Sequence, residues 1–325
     1  MAEINNKLRV VYGDSGLGVH GSRMSVETQE EFHYFFSYPQ GGLESMVIGG
    51  KEWLYRSPRP TFWRATTDND RGNKFHIRSG MWMSADLFMK CTPISLLVDG
   101  EDVKTCIPPY NNMYGGDTYH DEIAITFLYE TITTPSTNVF ITYNVKSDGK
   151  MIVHVKYEGR KDLPELPVFG MRFVMPTKAS GYRYQGLSGE TYPDRKAGGI
   201  SGIYDVFGLP VTPYLVPQEC GMHMDTDWVE IYRDSAASNV KQEQKTSTLK
   251  ISSDHAKFAF SCLPYTAEEL ENATHQEELP PERRTVLCIL GAVRGVGGID
   301  SWGSDVEPAY RISGEEDIEY SFVIN

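Results

Sequence analysis

The stretch NVFITYNVKSDGKMIVHVKY, residues 138–157, alternates apolar and polar side chains with a period of two. This alternation is typical of strands that pack one face on a core and leave the other in water. The apolar side chains fall at every second residue from Val139 to Val145, and again from Met151 to Tyr157, with a Ser-Asp-Gly turn at 147–149 between them. The stretch therefore predicts a β-hairpin.

Other segments carry β-branched or aromatic side chains at alternate positions and are also predicted to be strands. They are Ile123–Ile132, Val168–Val174, Lys257–Ser261, Thr285–Leu290 and Glu319–Ile324. Only two short helices are predicted, at residues 79–90 and 266–274, and the second begins with a Thr266-x-x-Glu269 capping box. The stretch from about residue 58 to residue 120 is expected to be irregular.

Composition agrees with short strands joined by frequent turns. The chain of 325 residues contains 19 Tyr, 14 Phe, 30 Gly and 18 Pro, and no Gly/Ser-rich linker or internal repeat divides it. We therefore expect an all-β protein, folded over residues 1–325 as a single domain that forms a large antiparallel β-sandwich.

Charge and hydropathy exclude some classes of partner. A net charge of −13 without a basic run disfavours nucleic acid. No stretch is long and apolar enough to span a bilayer, and the start of the chain lacks the apolar core of a signal peptide. A cytoplasmic location is expected. The five cysteines, at positions 91, 106, 220, 262 and 288, lack metal-site spacing and are interpreted as reduced structural thiols.

The sequence contains no complete catalytic machinery. It has no nucleophile elbow, no phosphate-binding glycine loop and no HExxH helix, and the eight histidines are scattered. Glycoside hydrolysis needs a pair of carboxylates, and two candidate pairs occur, Glu190 with Asp194 and Asp68 with Asp70. A neighbouring arginine in each case favours an ion-paired, loop-ordering carboxylate over a catalytic one.

A glycine-rich run, GVGGIDSWG at residues 295–303, leads to Trp302. A loop of this kind would display the indole, and a flat aromatic ring is a suitable surface for the apolar C–H face of a sugar. On the residues alone, a sugar-binding role and a structural role for Trp302 remain equally open.

Four blocks of sequence resemble one family. They are FWRATTDNDRG at 62–72, ETYPDR at 190–195, YLVPQECG at 214–221 and GIDSWG at 298–303. With them the chain resembles the C-terminal β-sandwich of family 2 β-galactosidases and, over its whole length, the small subunit of the heteromeric lactobacillus-type enzymes. The resemblance implies a galactose-mutarotase-like supersandwich and activity on terminal β-D-galactosides such as lactose.

The resemblance also implies a division of labour between two chains. The acid/base and nucleophile glutamates would lie on a TIM-barrel domain in a separate large subunit, together with the Mg and Na ions, so that this chain carries no catalytic residue, metal or cofactor. Trp302 matches the tryptophan that packs against the sugar. Around the 190–195 block, Ser188 just before it and Thr191 within it replace a Pro and an Asn of the family pattern.

The resemblance assigns further residues to two groups. The expected rim of the galactose pocket comprises Glu190, Tyr192, Asp194, Arg195, Asp300 and Ser301. Subunit contact or loop ordering is expected of Arg64, Asp68, Asn69, Asp70 and Arg71. Two alternatives stay open, a non-catalytic carbohydrate-binding module and an aldose-epimerase-like protein, which would need a His and a Glu on one concave face.

Overall fold

The computed structural model describes residues 7–24, 29–103, 118–234 and 246–325. These residues form twenty-one strands and three short α-helices. In chain order, the strands are β1 Leu8–Tyr12, β2 Gly16–Met24, β3 Gln29–Ser37, β4 Gly42–Ile48, β5 Lys51–Glu52, β6 Arg56–Thr61, β7 Lys90–Val98, β8 Glu101–Asp102, β9 Thr118–His120, β10 Glu122–Glu130, β11 Asn138–Lys146, β12 Met151–Tyr157, β13 Val168–Met175, β14 Gly181–Leu187, β15 Ser201–Phe207, β16 Met222–Thr226, β17 Trp228–Arg233, β18 Ser247–Ser253, β19 Phe258–Leu263, β20 Thr285–Val293 and β21 Ile318–Ile324. The helices are α1 Asp68–Gly72, α2 Phe75–Arg78 and α3 Ala267–Asn272.

The strands form three antiparallel sheets. The largest has ten strands in the order β15-β14-β17-β18-β21-β12-β11-β10-β7-β8. A six-stranded sheet has the order β5-β4-β3-β2-β1-β9, and a five-stranded sheet has the order β16-β19-β20-β13-β6. The hairpin predicted from residues 138–157 is β11 and β12, whose register pairs Val139 with Tyr157 and Val145 with Met151. It lies inside the ten-stranded sheet.

Both smaller sheets pack against the ten-stranded sheet. Phe36 of β3 meets Tyr143 of β11 with ring centroids 5.4 Å apart. On the same face of the large sheet, Phe173 of β13 meets Phe322 of β21 at 6.0 Å, since Tyr143 and Phe322 are both paired with Val153 of β12. A large hydrophobic cluster includes residues of all three sheets, from Leu8 to Ile324. The all-β class and the antiparallel sandwich are thus confirmed, and burial of these side chains supplies most of the driving force for folding.

Sequence periodicity located several strands from the middle of the chain to its end, but not β14 to β18. The predicted segments correspond to β10, β13, β19, β20 and β21 within a few residues. The capped helix is also confirmed as α3, where Thr266 accepts a hydrogen bond from the Glu269 amide and Glu269 accepts one from the Thr266 amide. The stretch expected to be irregular instead contains most of β6 and all of β7, β8 and β9. The sequence patterns also predict no strand in the first 55 residues, where β1 to β5 lie.

The predicted helix over residues 79–90 is wrong. Only Gly80–Trp82 form one 3₁₀ turn, and Ser84 adopts a left-handed conformation that breaks any helix. Tertiary anchors fix this path, because the buried Trp82 donates from Nε1 to the Pro164 carbonyl oxygen at 3.1 Å. The buried Asp86 carboxylate pairs with Arg172. These anchors outweigh the weak helix propensity of the segment.

Two sequence expectations concern thiols and membranes. Cys91, Cys220, Cys262 and Cys288 carry free thiols, whereas Cys106 lies outside the described residues. Within the described ranges, none of the helices has the length and apolar character needed to cross a bilayer.

Candidate functional site

The loop that follows β20 carries Trp302 and is held by side chains from distant parts of the chain. The four consecutive residues 295–298 each make a backbone contact with a side chain from the 62–72 block or the 190–195 block, or lie against one. We call this four-residue stretch the loop base. Three of the sequence blocks that carry the family resemblance therefore meet at one place in the fold.

Asp194 and Arg195 anchor the loop base from one side. The Asp194 carboxylate accepts hydrogen bonds from the backbone amides of Val296, at 3.0 Å, and Gly297, at 2.8 Å. The Arg195 guanidinium donates to the carbonyl oxygen of Gly297. Hydrogen bonds that involve a charged partner are stronger than neutral ones, so this pair fixes the direction of the chain as it enters the loop.

Asn69 and Arg64 anchor the loop base from the other side. The Asn69 side-chain amide donates to the Val296 carbonyl oxygen at 2.9 Å, and Arg64 donates to the Gly295 carbonyl oxygen at 3.0 Å. Asn69 lies in α1, whose N-terminus is closed by a capping box between Thr67 and Asp70. The short helix is thereby held in place to present Asn69 to the loop.

Arg64 and Asp70 form a buried ion pair beneath the loop base. Arg64 Nη1 lies 2.8 Å from Asp70 Oδ2, and Arg64 Nη2 donates to Asp70 Oδ1 at 3.3 Å. Both side chains are almost wholly removed from solvent, at 2% and 1% exposure. Such a pair is costly to disrupt on one side only, since the remaining charge would be left without its partner. The loop-ordering role expected of these two residues agrees with this geometry.

Two glycines of the loop base allow these side chains to approach. A Cβ on Gly295 would lie 2.7 Å from the Asp194 carboxyl carbon. Gly298 has φ of +79°, and a Cβ there would lie 2.8 Å from the Asn69 side-chain nitrogen. Any larger residue would clash with the anchors, and at Gly298 it would also adopt an unfavourable backbone conformation.

The tip of the loop presents the indole to solvent. Asp300 Oδ1 accepts hydrogen bonds from the amides of Trp302, at 2.9 Å, and Ser304, at 3.1 Å, so the tip is a defined turn. Hydrogen bonds from Ser304 and Trp302 lower the pKa of Asp300, which is therefore ionised near neutral pH. Trp302 is 92% exposed, and Ser301 beside it is also exposed. Among the described residues, the indole is therefore not part of an apolar core.

The remaining rim residues lie at different depths. Glu190 is exposed and accepts a hydrogen bond from the Thr212 hydroxyl at 2.8 Å. Tyr192 is buried in a small cluster with Val168 and Met222, so its ring is structural rather than a surface for ligand. Burial raises the pKa of Tyr192 well above its usual value.

In the 62–72 block, Asp68 and Arg71 remain near the surface. Arg71 Nη1 lies 3.3 Å from Asp68 Oδ1, and the Asp68 amide donates to Gln218 Oε1 at 2.9 Å. The YLVPQECG block therefore joins the same assembly. The predicted contact of Asp68 and Arg71 with a second subunit stays a prediction.

Sequence reasoning missed Arg294, which links the site to the rest of the fold. Its fully buried guanidinium lies 2.6 Å from Asp305 Oδ1, 3.2 Å from Glu165 Oε2 and 3.5 Å from Asp70 Oδ1. It also lies over the Phe75 ring, with 3.9 Å to the ring centre. An arginine directly between an apolar strand and a glycine run was the available signal, because so abrupt a change marks a buried charge that needs partners.

The YLVPQECG block gave no sign that Glu219 itself has a special environment. Glu219 lines a cavity of about 30 Å³, together with Trp63 and Arg64. Burial raises the pKa of Glu219 to about 8, against the opposing effect of Arg64. The carboxyl group is therefore largely protonated at neutral pH, where an acidic residue in a sequence would be taken as charged.

The histidine nearest to the Glu190 loop is not a free proton carrier. His223 Nδ1 lies 2.8 Å from the Gly189 carbonyl oxygen, and His223 Nε2 lies 2.9 Å from the Tyr182 hydroxyl. Because a carbonyl oxygen only accepts, Nδ1 carries the proton and Nε2 accepts from Tyr182. Burial lowers the pKa of His223 to about 4, so it stays neutral and orders the loop before Glu190.

The site as built offers a rigid support for one exposed aromatic ring. The carboxylates of Asp70 and Asp194, one from each candidate catalytic pair, are occupied by Arg64 and by backbone amides. Nor do the described residues contain a cluster of three or more His, Cys, Asp or Glu side chains that could hold a metal ion. Chemically, the arrangement can bind an apolar or sugar surface on Trp302.

Comparison with known proteins identifies the family. The family model described as "Beta galactosidase small chain" matches residues 28–324. The chain belongs to the β-galactosidase small chain family. The β-galactosidase small subunit of Latilactobacillus sakei is 58% identical over 325 residues, which is 100% of both chains. The recognition of this family from the four sequence blocks is thereby confirmed.

Other members of this β-galactosidase group are much longer. The β-galactosidase of Halalkalibacterium halodurans is 30% identical over 323 residues, which cover 98% of this chain but 28% of that protein. Among solved structures, a galactose mutarotase-like protein from Lactobacillus casei is similar over 94% of this chain and 99% of that one, with 9% identity and a TM-score of 0.39. Small-chain members are thus named as components of β-galactosidase, a glycoside hydrolase.

Proposed function

We propose that this chain is the small subunit of a heteromeric retaining β-galactosidase that hydrolyses terminal β-D-galactosides such as lactose. In this proposal the chain completes the galactose pocket, and the catalytic glutamates lie on a large TIM-barrel subunit. Family membership supports the subunit role, and the length of the single-chain relatives supports a missing partner.

One observation supports the pocket role. Trp302 is 92% exposed, and the loop base beneath it is held by the side chains of Arg64, Asn69, Asp194 and Arg195. A tryptophan displayed on a mobile loop would lose conformational entropy on binding a sugar, whereas a loop already fixed loses little. The indole would pack on the C–H face of galactose and hold it against the partner's carboxylates, a proximity effect that lowers the barrier to reaction.

The environments of the carboxylates in this chain support a catalytic pair on the large subunit. A retaining glycosidase needs one protonated and one ionised carboxyl group about 5 to 5.5 Å apart on opposite sides of the scissile bond. Asp70 is buried beneath Arg64, and Asp194 accepts two backbone amides, so neither is free to reach a substrate. We assign this chain no catalytic residue.

Further parts of the proposal follow from the same assignment. Mg²⁺ and Na⁺ ions belong to the large subunit, and the pair works in the cytoplasm, where the free thiols at Cys91, Cys220, Cys262 and Cys288 would stay reduced. The chain folds as one domain over residues 1–325.

Reconstitution tests the proposal. We expect the purified chain alone to release no galactose from lactose or from a chromogenic β-galactoside, and addition of the purified large subunit to restore turnover in proportion to the complex formed. Full hydrolysis by the isolated chain would contradict the two-chain assignment. Galactose binding or anomer interconversion by the isolated chain, without any effect of the large subunit, would favour the binding-module or epimerase alternatives.

A further inference from the structure

The segment between α1 and β7 exposes an unusual number of large apolar side chains. Within residues 77–88 five such residues have at least 38% of their surface exposed. They are Ile77 at 68%, Met81 at 41%, Met83 at 38%, Leu87 at 42% and Phe88 at 70%. We call these five residues the apolar platform. Single exposed apolar residues are common on soluble proteins, whereas five within twelve positions are a concentration of the kind that marks interaction sites.

The platform is held rigidly from below. Between its exposed residues lie the buried Ser79, Trp82, Ala85 and Asp86, and the buried Phe75 directly precedes them. Trp82 is fixed by its hydrogen bond to the Pro164 carbonyl oxygen, and Asp86 by its ion pair with Arg172. The segment is therefore well ordered by the core, and the outward side chains are not exposed through a lack of packing beneath them.

The platform begins beside the loop that carries Trp302. A Cβ on Gly303 would lie 3.1 Å from the Gly72 carbonyl oxygen, so the two segments touch. Asn73 Nδ2 donates to Asp305 Oδ1 at 3.2 Å, and Arg78 Nη2 lies 2.7 Å from Asp305 Oδ2. A molecule that closes over the Trp302 ring must pass next to this segment.

The charged residues of the segment itself are mostly cations, and two of them are paired with carboxylates from elsewhere in the fold, Arg78 with Asp305 and Lys90 with Glu130. In residues 72–90 the only carboxylate is Asp86, which is buried against Arg172. The exposed charged residues of the segment are the cations Lys74, Arg78 and Lys90, on a chain whose net charge is −13. A complementary surface would therefore be apolar at its centre and polar at its edge.

We propose that the apolar platform is the docking surface for the large β-galactosidase subunit, an inference that rests on the proposed function. The larger part of the single-chain relatives has no counterpart here, since this chain covers 28% of one and 27% of another. The equal-length relative is itself named a small subunit, so the occupant is a separate chain rather than a segment of this one. Interface cores are enriched in Met and aromatic residues, as this platform is.

This docking surface lies next to the 62–72 block and does not include Arg64 or Asp70. Arg64 and Asp70 are buried and occupied with each other, and they support the Trp302 loop. Ile77 and Phe88 would make the main contacts with the partner, because they have the largest exposed fractions among the five platform residues.

Single substitutions test the surface. We expect Phe88→Asp and Ile77→Asp each to weaken association with the purified large subunit at least about 20-fold, because a charge would be buried in an apolar contact. Dissociation constants would be measured by biolayer interferometry. The matched control is Phe207→Asp, which changes another exposed phenylalanine at the far end of β15 and should leave the dissociation constant within about threefold. Circular dichroism would verify that each variant is folded.

Turnover separates this inference from the proposed function. At saturating small-subunit concentration, Phe88→Asp should regain nearly full activity, because the platform holds the partner and does not touch substrate. Wild-type chains that fail to associate at all would contradict the proposed function itself. Unchanged affinity of Phe88→Asp and Ile77→Asp, with an active wild-type complex, would overturn only the platform. A platform-dependent dimer of the isolated chain that persists in the active complex would also overturn it.

Discussion

The side-chain amide of Asn69 donates a 2.9 Å hydrogen bond to the carbonyl oxygen of Val296, across 227 residues of sequence. The bond joins the motif that opens α1 to the motif that displays Trp302. Local structure alone would not fix the position of either residue, because α1 is one turn long and the loop base is rich in glycine. The two segments order each other, and this contact helps to fix the position of the exposed indole.

Removal of the Asp194 carboxylate should release the loop base. Asp194→Ala loses two hydrogen bonds to backbone amides, and we expect a loss of about 2 to 4 kcal/mol in the free energy of unfolding, measured by urea titration. With the large subunit, kcat/KM for lactose should fall about 10-fold or more, since Trp302 is no longer fixed. Asp205→Ala, which removes an exposed partner of Arg183 at 3.6 Å, is the control and should change stability by less than about 1 kcal/mol. Equal effects of the two variants would refute a special role for Asp194.

The buried pair beneath the loop should behave non-additively. Arg64→Met leaves Asp70 buried without its main partner, and we expect a loss of about 3 to 5 kcal/mol. The double variant Arg64→Met with Asp70→Asn should lose less than the sum of the two single losses. Urea unfolding of all four proteins gives the coupling free energy. A coupling near zero would show that the two charges are independently solvated.

Gly298 offers a test of close packing at the loop base. Gly298→Ala should destabilise by about 1 to 3 kcal/mol, since the new Cβ meets the Asn69 side chain and the backbone is left-handed. Gly50→Ala is the matched control, because Gly50 has a similar φ of +75° and no atom within 4 Å of the new Cβ. The difference between the two variants in thermal unfolding isolates the steric part. Identical losses would mean that only the backbone conformation matters.

Glu219 should give stability a measurable pH dependence. The carboxyl pKa rises from 4.5 to about 8 in the folded chain, so between these values the unfolded state is ionised while the native state keeps its proton. Unfolding therefore releases a proton, and the native state loses stability as pH rises through this window.

The variant Glu219→Gln removes this dependence. Relative to wild type, its free energy of unfolding should rise by a few kcal/mol between about pH 5 and about pH 8.5, since each pKa unit corresponds to about 1.4 kcal/mol. Glu230→Gln, which changes a carboxylate that is 24% exposed and paired with Lys250 on the ten-stranded sheet, is the matched control for a Glu-to-Gln change. A constant difference for Glu219→Gln would contradict a protonated native carboxyl group.

The parts of the fold that sequence predicted are those with strong local periodicity. The β11–β12 hairpin, α3 and the late strands follow from alternation or capping within a few residues. The early strand β3 has the same signal in Phe32, Tyr34 and Phe36, but three consecutive glutamine and glutamate residues at 29–31 make its start look like a polar loop. The helix predicted at residues 79–90 failed because Trp82 and Asp86 are fixed by contacts with distant residues.

The site could be predicted only in its components. Motif resemblance selected Trp302, Asp194 and Asn69, but their arrangement depends on contacts such as that between Arg64 and Gly295, 231 residues apart. The protonated state of Glu219 was also beyond sequence reasoning, since it results from burial rather than from neighbours along the chain.

The central claim is that Trp302 forms a wall of the galactose pocket, and the kinetics of Trp302→Ala test it most directly. Lactose hydrolysis would be measured with the large subunit at saturating concentrations of each small-subunit variant. The ring is 92% exposed, so stability should not change, while loss of about 1 to 3 kcal/mol of sugar contact should lower kcat/KM about 5- to 150-fold. Trp302→Phe should retain a larger share of the activity because it keeps an aromatic face. Wild-type kcat/KM in Trp302→Ala would contradict the account.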